Sequence, residues 1–416
     1  MKEKIFEYID NSEALAIELE TELCKYPAIS PQSDGEGELD KVEFLQGWLK
    51  TRGIDQFERF DAPDERAKGG VRPSLVATIP GQASDDSPRF WIMSHIDVVP
   101  PGEESLWNSD PWKAIVVDDA PLGKRIIGRG VDDNQQGLTA SVIAALALLK
   151  NGVVPSKTVK LLFASDEENG SKFGVDWMIK NHPGLFRKDD MILIPDSGNA
   201  TGTDIEIAEK SNVWMKFTTK GKQAHAAKPH KGVNAYVAGA DLTVRLYKGL
   251  AEKFSETDPL FEPAYSTFQP TKKEPNVPNI NTIPGEDVFY CDMRILPMHP
   301  VPEVFKEIDR IKAEVEKEYG VTIESFVGNH NESPPTPQDS PLIKFLSKNV
   351  EEVYKVKTKC VGIGGGTFAA FLRREGIDCA VWASFDGTAH QPNEYCLIEN
   401  IFKMAKVMAL MMISSY

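Results

Sequence analysis

Apolar residues recur at helical spacing from Ser12 to Tyr26 and again from Leu39 to Thr51, where Gly53 can supply a left-handed stop. Short runs rich in Val, Ile, Leu and Phe follow at Ser74 to Ile79, Arg89 to Met93, Thr158 to Ala164 and Met191 to Ile194. Helical patterns such as Leu138 to Lys150 and Lys172 to Asn181 separate them. Strand-length apolar runs alternating with helices predict an α/β sheet covered by helices.

The middle of the chain has a different rhythm. An alternating run Trp214 to Lys220 precedes a long helical pattern Val233 to Lys253, strand patterns at Asn279 to Ile283 and Val288 to Leu296, a charged amphipathic helix Pro302 to Tyr319, and a strand Val321 to Phe326. In order this reads βαββαβ, which can fold as an antiparallel sheet with two helices on one face, an α+β unit of its own. The Pro-rich stretch Ser333 to Pro341 reads as a linker. After it, a helix Leu342 to Tyr354, a Gly-rich turn Gly362 to Gly366, a strand Cys379 to Ala383 and a helix Glu399 to Ile413 resume the α/β pattern. The expected division is therefore a discontinuous domain of residues 1–208 plus 333–416, with 209–332 inserted.

Composition narrows the function class. With 416 residues the chain is long enough for two or three domains. Its 41% hydrophobic content excludes global disorder, and its apolar stretches are too short to span a bilayer. Acidic residues interrupt the N-terminal stretch where a signal peptide needs an apolar core, so a cytoplasmic location is expected. Five scattered cysteines without a CxxC pair support neither a disulfide framework nor a cysteine zinc site. A net charge of −15 with no basic block counts against nucleic acid. The expected partner is a small molecule or another protein.

Five places set His, Asp or Glu directly after an apolar strand pattern, where open α/β sheets build their sites. They are His95 and Asp97 in WIMSHIDVVP, Asp132 and Asp133 in GRGVDDNQQG, Asp166, Glu167 and Glu168 in LLFASDEENGS, Asp196 in LIPDSG, and His390 in GTAHQPNEY. Two histidines with several carboxylates suit divalent zinc, cobalt or manganese, and one bridging carboxylate lets two ions sit together. Asp97, two residues after His95, can accept the imidazole's second N–H. Neighbouring Glu167 and Glu168 leave a strand end in different directions, so one can ligate while the other acts as a general base.

The order and context of SHIDVVP, GRGxxD, DEENGS, PDSG, GGGT and AHQPNEY resemble the M20 family of metallopeptidases and amidohydrolases. That family includes carnosinase-like dipeptidases, carboxypeptidase G-like enzymes, acetylornithine deacetylase and succinyl-diaminopimelate desuccinylase. The resemblance implies a metallopeptidase-type mixed sheet flanked by helices, carrying an inserted ferredoxin-like lid and dimerisation domain. It implies His95 and Asp196 as ligands of one metal, Glu168 and His390 of the second, and Asp133 rather than Asp132 as the bridge. It also implies Asp97 as the orienting residue, Glu167 as general base, and a cis peptide between Asp133 and Asn134.

In the insert, the resemblance gives His225 of GKQAHAAKPH an oxyanion-stabilising role, often across a homodimer. For a substrate carboxylate it offers Arg294, Asn281, Lys210 and the turn at Gly366 and Thr367. Two departures stand out. Ala370 occupies the place of a dipeptidase arginine, leaving Arg294 or Arg373 as replacement cations, and Asn134-Gln135-Gln136 replaces the usual residues after the bridge. The expected activity is hydrolysis of a dipeptide or N-acyl amino acid by two divalent ions, zinc first, with Glu167 taking the water's proton. The rival expectation is a binding protein that keeps the fold without the chemistry.

Overall fold

The computed structural model describes residues 1–84 and 86–414. The main sheet has eight strands in the order Gln56–Pro63, Val71–Ile79, Val159–Ala164, Phe90–His95, Met191–Gly198, Cys379–Ala383, Asp204–Glu209 and Lys359–Ile363. Its four central strands are parallel: Phe90–His95 lies between Val159–Ala164 and Met191–Gly198, and the latter pairs with Cys379–Ala383. Every residue of Phe90–His95 and of Cys379–Ala383 is buried, which explains runs such as CAVWA that show no alternation.

Helices cover both faces. On one, Trp91, Met93, Leu162, Ile192 and Val381 pack with Val175 and Met178 of helix Val175–Asn181 and Leu372 of helix Ala369–Arg374. On the other lies helix Gln136–Lys150, buried from Gln136 to Leu148, with Ile398–Ile413 packed along it. Each large aliphatic side chain so buried contributes about 1.5–3 kcal/mol.

The chain forms two compact units, Met1–Ile207 with Thr336–Cys360 and Thr367–Tyr416, and Ala208–Pro335 with Val361–Gly366. The second unit has an antiparallel sheet in the order Thr267–Lys273, Glu286–Ile295, Ser211–Lys220, Thr322–Asn331. Helices Ala235–Lys253 and Val301–Tyr319 bury Leu242, Leu246, Ile308 and Ile311 in one core with Val213, Phe217 and Phe289 from the strands. Asn234 caps the first helix, its side chain accepting the N–H groups of Tyr236 and Val237.

One strand expected here moves. Of Asn279 to Ile283 only Thr282–Ile283 pairs, with Ala224–His225, and the four-stranded sheet takes Thr267–Lys273 instead. Pro275, Pro278 and Pro284 deprive the former region of ladder donors, while Pro270 beside a bulge disguises the real edge strand. Strand patterns also failed to reveal the exposed edge strand Gln56–Pro63 and the hairpin Ile115–Asp119 and Gly123–Ile127, whose side chains are mostly solvated.

Candidate active site

The C-terminal ends of the four parallel strands converge. Phe90–His95 delivers His95, Val159–Ala164 leads into the turn carrying Glu167 and Glu168, Met191–Gly198 carries Asp196, and the segment after Cys379–Ala383 brings His390. Asp133 enters from the turn Val131–Gln135 at the start of helix Gln136–Lys150, and the Asp133-Asn134 peptide is cis, as expected.

Asp133 divides its two oxygens between the histidines. Its Oδ1 lies 2.8 Å from His95 Nε2 and its Oδ2 3.2 Å from His390 Nε2. His95 Nε2 also faces Asp196 Oδ1 at 3.2 Å, and His390 Nε2 faces Glu168 Oε2 at 3.1 Å. Ligand atoms of His95, Glu167 and Asp196 lie within 4.8 Å of one another, as do those of His95, Asp133 and Glu168. Ligands of a tetrahedral ion held at roughly 2.0–2.2 Å are about 3.3–3.6 Å apart, so contacts of 2.8–3.2 Å around His95, Asp133 and His390 need little opening to accept cations.

The charges point the same way. Burial, reinforced by the Asp196 charge, holds Glu167 well above the ordinary carboxylate range. Burial lifts Glu168 to about 7 and raises Asp196. Burial would raise Asp133 too, yet hydrogen bonds from His390 and His95 pull it below the ordinary range. Asp133 and Glu168 push His390 up to about 10, and Asp196 and Asp133 outweigh burial to raise His95. Crowded carboxylates that borrow protons to coexist form a donor set that divalent cations would relieve.

A profile of the peptidase family M20/M25/M40 matches residues 91–414. The chain belongs to this family. An uncharacterised metallohydrolase of Methanocaldococcus jannaschii is 37% identical over 94% of this chain and 97% of its own length. Succinyl-diaminopimelate desuccinylase of Rickettsia massiliae is 25% identical over 93% and 96%. Among solved structures, the dipeptidase Dug1p of Saccharomyces cerevisiae shares the fold with a TM-score of 0.74 at 16% identity, covering 99% of this chain and 98% of that one. An M20 metallo-carboxypeptidase of Sulfolobus solfataricus gives 0.73 at 19%, covering 95% and 98%. This M20 chain is thus a metal-dependent hydrolase, and the family implies divalent metal ions.

Other expected residues of this M20 chain are placed with differences. Asp97 reaches His95 through its backbone: His95 Nδ1 donates to the Asp97 carbonyl at 3.0 Å, whereas the Asp97 carboxylate stands 3.6 Å away. That carboxylate instead accepts the N–H groups of Glu167 and Glu168, at 3.0 and 3.1 Å, and so fastens the turn that presents them. Asn134 donates to Asp196 Oδ1 at 2.7 Å, giving the departure after the bridge a definite contact.

In the second unit, His225 is exposed, and its Nδ1 accepts the Ala227 N–H at 3.0 Å. The Asn281 carbonyl accepts the Ala226 N–H. Lys210 spends its ammonium on the carbonyls of Pro263 and Tyr265, both at 2.7 Å. Arg294 pairs with Asp292 and donates to the Gly364 carbonyl at 2.8 Å, which braces the Gly-rich turn before exposed Gly366. In the first unit, Thr367 Oγ1 accepts the Ala369 N–H. Arg373 is buried against Glu206.

Sequence reasoning missed the buried carboxylates behind the site. Glu394 lies inside the AHQPNEY motif and could have been flagged as a charge in a ligand-bearing segment. Arg72, fully buried between Glu38 and Asp166, gave no signal, because its partners are remote in sequence.

Proposed function

We propose that this M20 hydrolase cleaves an amide bond in a small substrate with a free carboxylate, a dipeptide or an N-acyl amino acid, using two divalent ions, zinc first. The division of Asp133's oxygens between His95 and His390, with Glu167 alongside, carries the reading. His95, Asp133 and Asp196 would hold one ion, and His390, Asp133 and Glu168 the other. Ions bound there would polarise the scissile carbonyl and lower the pKa of water. Glu167 takes the proton of the attacking water and returns it to the leaving nitrogen, with Asp97 holding its turn in place.

Accepting a bond at Nδ1 leaves the neutral His225 ring with its proton on Nε2, a donor suited to a developing oxyanion, whether in its own chain's site or a partner copy's. Arg294, Asn281, Gly366 and Thr367 are the proposed receivers of the substrate carboxylate, while Lys210 already spends its ammonium on the Pro263 and Tyr265 carbonyls.

A homodimer through the inserted unit is part of this proposal. Helix Ala235–Lys253 exposes Tyr236, Val237, Val244 and Tyr247, which fall within about 100° of its circumference and leave an apolar stripe on an otherwise polar face.

The test is a mass-spectrometric hydrolysis profile over mixed dipeptides and N-acetyl and N-succinyl amino acids, with zinc, cobalt or manganese. Glu167→Gln should lower turnover by about 10²–10⁴-fold while metal content stays at the wild-type level. Wild-type turnover in that variant would overturn the mechanism. Relative rates on the substrate classes separate the dipeptidase from the deacylase.

A further inference from the structure

The two ligand groups stand on unequal footings. His95 and Asp196 project from adjacent central strands of the main sheet, whereas His390 lies in an irregular segment between Cys379–Ala383 and Tyr395–Leu397. His390 and Asn393 have φ of 62° and 61°, a conformation that residues with a Cβ keep only where their surroundings enforce it. The His390 side chain is 55% exposed, against 0% for His95.

What fixes this segment is a mutual clasp with residues 129–136. Asp132 Oδ2 accepts the Thr388 N–H at 2.8 Å and the Thr388 hydroxyl at 2.9 Å, and its Oδ1 accepts the Gln136 side-chain amide at 2.5 Å. In return Glu394 accepts the N–H groups of Gly130, Asp132 and Asp133, each at 2.9 Å, and an Arg129 N–H at 2.6 Å. Asp132 and Glu394 are both fully buried. Each segment therefore brings one ligand candidate and one carboxylate that fastens the other segment: Asp132, next to Asp133, holds the loop of His390, and Glu394, just beyond His390, holds the turn of Asp133.

We infer that Asp132 is a positioning residue that sets how tightly His390, Glu168 and Asp133 hold their cation, and that this cation is the more weakly bound of the two. The inference rests on the two-ion reading above. Hydrogen-bond partners that orient a ligand typically change metal affinity about 10–100-fold, and a loop-borne ligand depends on them more than a strand-borne one. Glu394 shares the task but also closes the buried Arg129 pair, so its loss would disturb the fold as well. Asp132 forms no ion pair of its own among those seen, which makes it the cleaner probe.

Zinc titration of the metal-free full chain, by calorimetry with elemental analysis, tests this. The wild type should take up two ions in separable steps, and His390→Ala should abolish the weaker one, which identifies it. Asp132→Ala is expected to weaken that step about tenfold or more and to leave the tighter step within about twofold. Thr388→Val keeps the backbone N–H bond, loses the hydroxyl, and should weaken the same step to a smaller degree. If Asp132→Ala does not fold, Thr388→Val carries the test alone. An unchanged weaker step, or equal weakening of both steps as a general loss of structure would give, overturns the inference. A wild type that binds a single ion overturns the two-ion reading and this inference with it, and the wild-type titration by itself tells the two failures apart.

Discussion

Asp132 and Asp133 are neighbours of the same type with opposite employment. Asp133 turns both oxygens toward the two histidines, while Asp132 points into the protein toward Thr388 and Gln136. Residue pattern alone left the pair equivalent; only the resemblance to the M20 motif GRGxxD implied Asp133. Asp97 meets the His95 ring through its carbonyl and not its carboxylate; a two-residue interval cannot say which of the two faces the ring. Buried groups away from the site also have measurable consequences. Burial lifts Glu20, in helix Glu13–Cys24, from 4.5 to about 8. The folded chain thus keeps a proton that the unfolded chain releases above pH 4.5. The stability tied to that proton is fully present below the unfolded value and is lost as pH rises toward and through about 8, with a limiting slope of about 1.4 kcal/mol per pH unit. Thermal melts from pH 5 to 8.5 should show Glu20→Gln losing less stability than the wild type across that window; parallel curves would refute it.

At the scale of elements, the site depends on how closely a helix meets a strand. A Cβ on Gly137, in the first turn of helix Gln136–Lys150, would lie 2.5 Å from the Pro195 carbonyl oxygen and 2.9 Å from its ring, one residue before Asp196. Gly137→Ala should therefore push that strand away, destabilise the protein by roughly 1–3 kcal/mol and lower its metal content. Gly47 is the control: it lies on the exposed side of helix Leu39–Lys50 with no heavy atom within 4 Å of its built Cβ. Gly47→Ala should stabilise by about 0.5–1 kcal/mol. Urea melts of the two variants, with elemental analysis of the first, check both signs. Buried strands were legible because burial on two faces makes them continuously apolar. Gln56–Pro63 and the hairpin at 115–127 were not, since strands wet on one or both sides look like loops.

For the whole molecule, the acid surplus and the absence of a basic block already pointed away from polyanions, and the βαββαβ rhythm marked the insert. The apolar stripe on helix Ala235–Lys253 became visible only once the helix's buried face was known. If it joins two copies, Val244→Asp combined with Tyr247→Asp should yield monomers by light scattering without lowering the melting temperature of the chain's own core, since both side chains are exposed. A wild type that is already monomeric at micromolar concentration would remove the interface. Activity that survives in the monomer would assign His225 to its own chain's site.

By itself the sequence marked the α/β alternation, the inserted unit and the short motifs whose residues meet in the candidate site, because these depend on periodicity and on residues that stand close together in the chain. Tertiary structure alone decided that Asp133 faces both histidines, which carboxylates brace the segments behind it, and that Lys210 and Arg373 are already committed to internal partners. Arg72 with Glu38, Asp132 with Thr388, and Glu394 with the turn at 130–133 are pairs separated by tens to hundreds of positions. No local pattern encodes such pairs, since what fixes them is the convergence of parallel strand ends where buried charge must find a partner.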